Sequence, residues 1–188
     1  MRNGPALIAG VLLLFACNAP TPSEAPVAVS AQQTTEPKIV KPQITWGTAG
    51  AVDPRAVANL GDSAASAARA PVPVLAPTNV TLENATLVVE GEYYALSGRV
   101  HGATIAIQGT RAQHRHPGVE PAQGNRMLRG QRAFVSVNEG IRTSSWMENG
   151  AAYSVDVECA DAADTRCTSD AFVISITENL ANAGGSGK

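Results

Sequence analysis

From Thr78 onward, apolar and polar residues trade places at nearly every step. In "ATLVVEGEYYALSGRV" the alternation predicts two strands on either side of Glu90-Gly91, and in "ATIAIQGTR" Ile105 and Ile107 alternate with Thr104, Ala106 and Gln108. Val135 and Val137 alternate with polar neighbours, and Asn138-Glu139-Gly140 turns the chain. Ile141 to Met147 returns, and Glu148-Asn149-Gly150 carries the strongest short hairpin signal in the sequence. The next strand places Tyr153, Val155, Val157 and Cys159 on one face and Ser154, Asp156 and Glu158 on the other. One dry and one wet face is the pattern of an antiparallel meander. The period then lengthens. Thr168 or Ser169 is placed to cap a helix, Asp170 suits the positive end of its dipole, and Phe172, Val173, Ile176 and Leu180 form a stripe that can lie on the dry face. Asn182-Ala-Gly-Gly ends the helix. The expected fold class is α+β: an antiparallel β meander with a C-terminal helix packed on one face, occupying residues 78–188.

The first part of the chain has no such period. Ala6 to Phe15 is an apolar run broken only by Gly10, following a positive Arg2. Ten residues rise roughly 15 Å as a helix, about half the hydrocarbon core of a bilayer, so the run suits a signal segment over residues 1–16 rather than a span. Residues 17–77 are rich in Pro and Ala, with no Phe or Tyr and one Trp. That composition offers little apolar surface to offset the entropy of ordering and predicts a disordered tether before the domain. Two islands interrupt it. "KIVKPQITWG" holds Ile44 and Trp46 as possible docking points, and Asp53-Pro54 opens "DPRAVANLGDSAASAARA" like a capped helix. Both are expected as transient structure within the tether.

The junction "LLFAC" resembles the lipobox of bacterial lipoproteins, with Leu14 three before the cysteine, Phe15 larger than the residue usual at its position, and small Ala16 before Cys17. The resemblance implies cleavage between Ala16 and Cys17, acylation of Cys17, and a place in the bacterial cell envelope facing the periplasm. Asn18, where an inner-membrane-retaining Asp is common, leans that implication toward the outer membrane. Several acyl chains, at about 0.8 kcal/mol per buried CH₂, would hold the chain on a membrane almost permanently. Lipidation of Cys17 would leave Cys159 and Cys167, in "CADAADTRC", as a disulfide pair in an oxidising compartment. Farther on, "WMENGAAYSV" followed by a loop and a helix ending "ITENL" resembles the C-terminal part of an envelope domain related to periplasmic regulators of sigma-factor signalling and to sporulation lipoproteins. The likeness covers about 131–180 and rests on Trp146, Gly150, Tyr153 and Leu180. This chain departs from it by inserting "ECADAADTRC". The resemblance implies an antiparallel sheet with a packed helix and a sensing or lipid-adjacent role, and carries no catalytic residue.

Charge sharpens the picture. The 188 residues carry a net charge of −2, which gives no overall basic character suited to nucleic acid. Seven arginines (99, 111, 115, 126, 129, 132 and 142) nevertheless crowd the middle, and seven acids follow Thr143. Arg126, Arg129 and Arg132, in "NRMLRGQR", are the candidate anion-binding residues, since guanidinium forks suit phosphate and carboxylate. The alternative is that the two halves pair with each other across strands. His114 and His116, two apart in "QHRHPG", would point the same way from a strand and are the weak candidates for metal ligands. Glu158, Asp161, Asp164 and Asp170 lack the order of a calcium loop. No P-loop, G-x-S-x-G or H-E-x-x-H occurs. The expectation is a membrane-anchored, non-enzymatic lipoprotein without a cofactor, binding or sensing an anionic lipid, peptidoglycan or an envelope protein. A structural accessory subunit of an envelope complex is the alternative, and a metal-dependent enzyme a more distant one.

Overall fold

The computed structural model describes residues 36–45 and 50–185. The signal segment, Cys17 and Trp46 lie outside the described residues. Among the described residues, eleven strands and four short α-helices follow one another. β1 (Lys38–Val40), α1 (Pro54–Ala58), α2 (Ala64–Ala67) and β2 (Val74–Pro77) precede a first meander of β3 (Glu83–Glu90), β4 (Tyr93–Val100) and β5 (Ala103–Thr110). An excursion carries β6 (Gln113–Arg115) and β7 (Arg126–Leu128). A second meander of β8 (Gln131–Asn138), β9 (Ile141–Glu148) and β10 (Ala151–Cys159) leads to α3 (Thr165–Thr168), α4 (Ala171–Glu178) and β11 (Leu180–Gly184).

The two meanders fuse along β5 and β10 into one seven-stranded antiparallel sheet of order β3-β4-β5-β10-β9-β8-β7. The expected α+β class, with a helix on one face, is what the chain adopts. Asn149-Gly150 and Glu139-Gly140 close their hairpins with positive φ at both residues, the turn geometry that matches strand twist. Alternation then sorts the faces. Tyr94, Leu96, Ile105, Ile107, Val155 and Val157 are fully buried or nearly so on one side. Tyr153, directly opposite Gly109 on β5, stacks on Trp146 with ring centroids 5.5 Å apart. A Cβ at Gly109 would overlap the rings of Tyr94 and Tyr153, so this strand position takes glycine for want of space.

A second layer covers that face, and it is larger than the sequence suggested. α4 lies over β9 and β10 through Val173, Ile176 and Thr177. Beside it β2 and β11 pair antiparallel with Leu180 opposite Pro77, and α1 and α2 complete the layer. The expected tether through Pro77 is therefore corrected: Ala56, Leu60, Ala67, Ala70, Val72, Val74, Leu75 and Ala76 are all core. The residues are small because they pack close under the sheet, so they contribute no aromatic signal. Pro73 and Pro77 are tolerated because β2 has a ladder on one side only. On its other side the Leu75 amide donates to the Tyr94 hydroxyl at 2.9 Å, and the Tyr153 hydroxyl donates to the Pro73 carbonyl at 3.2 Å. Asp53 caps α1 as expected, its carboxylate accepting from the Arg55 amide at 2.8 Å. The helical stripe expected through Leu180 stops at Glu178, and Leu180 opens β11 instead, because β2 supplies a strand for it to join. Cys159 and Cys167 form a disulfide with Cα atoms 6.0 Å apart.

A candidate ligand groove on the open face of the sheet

Among the described residues, no such layer covers the other face of the sheet. Its floor is built from the wet phase of the alternation: Ala95, Gln108, Ser154, Ser145 and Phe134 lie in one row across β4, β5, β10, β9 and β8, with Tyr93, Thr110, Ala152, Met147 and Arg132 in the next. Small side chains in the centre and larger ones outside leave a shallow trough. Two clefts of ≈ 590 and ≈ 450 Å³ lie on this face and share Ser145, Ala152 and Tyr153, so they form one groove. Tyr93 stands at one end, with Phe134 and Met147 at the other, each about two-fifths exposed. Four strand spacings of roughly 4.8 Å put the two aromatic rings on the order of 20 Å apart. The hydroxyls of Ser145 and Ser154 and the carboxamide of Gln108 make no hydrogen bond to any described residue. The groove thus offers uncharged donors and acceptors between apolar ends, with Arg132 at the rim as the one Arg or Lys among its described lining residues.

One wall of the groove comes from the excursion. β6 pairs with β1, and the short ribbon they form is fastened at several points. The Thr45 amide donates to the Asn149 carbonyl at 2.8 Å, and the Gln113 side chain donates to the Gly150 carbonyl at 3.4 Å. Ile44 packs against the core. Glu92, in the β3–β4 turn, accepts from Arg111 and, at 2.6 Å, from Lys41, and these two cations hold its carboxyl at about 2, far below its ordinary range. Ala112 and His114 thereby face the groove. On the other side Asn125 substitutes for a strand residue, exchanging two 3.0 Å hydrogen bonds with the backbone of Val135, and Gln123 and Gly124 border the second cleft.

The arginine cluster is not brought together as one anion site. Arg129 is nearly buried and holds Glu148 at 2.8 Å, donates to the carbonyls of Thr177 and Leu180, and lies over the Trp146 ring. Arg126 faces Asp170 at 3.7 Å, and Arg142 meets the same carboxylate at 2.6 Å. Only Arg132 reaches the groove. Arg126, Arg129 and Arg142 of the basic middle thus meet acids of the C-terminal part, while Arg111 pairs with Glu92. Asp164 is likewise committed: Arg166, through its side chain and its amide, holds the carboxyl at about 2. His114 and His116 lie along the β6 ribbon, and among the described residues no three His, Cys, Asp or Glu side chains gather as a metal site. The groove residues Tyr93, Phe134 and Met147 were not singled out from the sequence. Their signal was nevertheless present, as large apolar side chains in the wet phase of otherwise well-behaved strands. Comparison with protein-family models, with characterised proteins and with solved structures finds no match for this chain.

Proposed function

We propose that this protein is a non-enzymatic binding module of the bacterial envelope, anchored through an acylated Cys17, with the open sheet face as its ligand surface. One observation carries the binding half: unsatisfied hydroxyl and amide groups line a groove whose two ends are exposed aromatic and thioether side chains, in a domain that buries its other sheet face under a full second layer. An uncharged floor of this kind recognises its ligand by hydrogen bonding and ring contact rather than by ion pairing. An envelope glycan or an extended peptide segment has that chemistry. The disulfide at Cys159 and Cys167 supports the compartment, since such bonds persist where thiols are not kept reduced. A structural accessory subunit is the second reading, favoured by Val88, Tyr93, Phe134 and Met147 on one sheet face, which a partner protein would cover.

Two measurements test the proposal. Intact mass of the native product is expected to show a chain starting at Cys17 with added acyl mass. A chain that retains residue 1, or starts at Cys17 without acyl mass, overturns the anchor. A photo-crosslinking residue at Ser154 in cells is expected to give a discrete adduct that Ser145→Trp abolishes, while the same probe at Arg69, on the opposite layer, gives none. One protein adduct selects the accessory subunit, glycan adducts select the envelope ligand, and no adduct at Ser154 removes the groove from the account.

A further inference from the structure

The ribbon of β1 and β6 places Lys38 directly opposite Arg115, on the same side of a two-stranded pairing. Like charges in that relation repel, and none of the ribbon's fastenings places an acid beside this pair. Elsewhere on the same strap the cation is matched, since Lys41 has Glu92. Lys38 and Arg115 have no ion pair among the described residues. Both line a cleft of ≈ 540 Å³, together with His114 and His116, and among the described residues no carboxylate lines it. Glu36 and Glu120 are near in sequence but neither borders the cleft nor pairs with these cations. Val40 and Val119 supply an apolar wall.

We infer that this cleft binds a phosphate group, whose charge relieves the repulsion between Lys38 and Arg115. The donors outnumber what a planar carboxylate uses: a guanidinium fork, an ammonium and two imidazoles line the cleft, which suits the several oxygens of a phosphate. The apolar wall beside them suits a phosphate that carries a hydrophobic body, as an anionic lipid does. The site lies outside the main groove and does not depend on Cys17 being acylated, although His114 borders both clefts.

The test uses the full chain in neutral detergent micelles. Inorganic phosphate is titrated in one arm, and micelles doped with phosphatidylglycerol or with phosphatidylcholine in the others. The Lys38→Gln/Arg115→Gln variant is expected to weaken binding about ten-fold or more, because charge-assisted hydrogen bonds are lost. An Arg69→Gln/Arg99→Gln control removes the same net charge from elsewhere and is expected to leave binding essentially unchanged. Binding of inorganic phosphate identifies the free anion as sufficient, and binding of phosphatidylglycerol alone identifies the lipid headgroup as the source. The inference is overturned if neither probe binds, if phosphatidylcholine binds equally, or if the control variant loses as much. It is also overturned if the Lys38→Gln/Arg115→Gln variant melts lower than the native protein without probe, since the opposed charges would then be supporting the ribbon.

Discussion

Arg129 shows how a side chain's partners, rather than its type, decide its role. It sits in a hairpin turn with positive φ, yet its guanidinium reaches back under the sheet to Glu148, Trp146 and the carbonyls of Thr177 near the end of α4 and Leu180 at the start of β11. Replacing it leaves Glu148 as a nearly buried charge without its cation. Arg129→Met is therefore expected to lower unfolding free energy by about 3–5 kcal/mol in urea denaturation, with most of the loss recovered when Glu148 is changed to Gln in the same chain. A loss no greater than an exposed arginine gives would contradict the assignment. None of this was legible in "NRMLRGQR", because the acid that answers Arg129 lies in another hairpin. By contrast, the shared buried face of Tyr153, Val155 and Val157 followed from alternation alone, since a strand fixes which neighbours share a face.

Among the elements, the hairpins were the most readable, because each is specified by a residue-glycine turn and the period on either side of it. β1, β2 and β11 were not, because each takes its stability from a strand far away in sequence. β1 is three residues long and depends on fastenings outside its ladder, chief among them Glu92 with Arg111 and Lys41. The Glu92 carboxyl is held at about 2 against an ordinary 4.5, so its contribution is complete above that ordinary value and disappears as pH falls through about 2. Amide protection at Val40 and Thr45, followed by NMR, is expected to stay high down to about pH 4.5 and then fall as the pH drops toward 2. In Glu92→Gln it is expected to be low throughout. A native profile that is flat across this range would show that the carboxylate does not hold the strap.

For the molecule as a whole, the sequence disclosed the sheet and the helix packed on it and concealed the rest of the second layer. The sheet announces itself through period two, whereas the layer beneath it is written in Ala, Val and Pro, the same residues that make a tether. Asn59 illustrates the difference: nothing in "VANLGD" marks it, yet its buried carboxamide donates to the carbonyls of Pro77 and Val80 and accepts from the Leu82 amide at 2.7 Å. A chain starting at Thr78, the boundary that composition suggests, loses α1, α2 and β2, and with them the cover over β5 and the partners of the Tyr94 and Tyr153 hydroxyls. It is expected to lack cooperative thermal unfolding by circular dichroism, while a chain starting at Gly50 is expected to retain it. Equal melting of the two would mean that the lower layer is dispensable.

The pairing of Pro77 with Leu180 joins segments separated by more than half the polypeptide. Synthesis delivers Val74–Ala76 early and their partner late, so the nascent chain carries an unfinished lower layer until Leu180–Gly184 emerges. Contacts of such long range are also slow to form. Completion of the lower layer is thus postponed until that last strand has emerged, and a polypeptide that must be threaded across a membrane while still unfolded, as the proposed anchor requires, has that interval written into its topology.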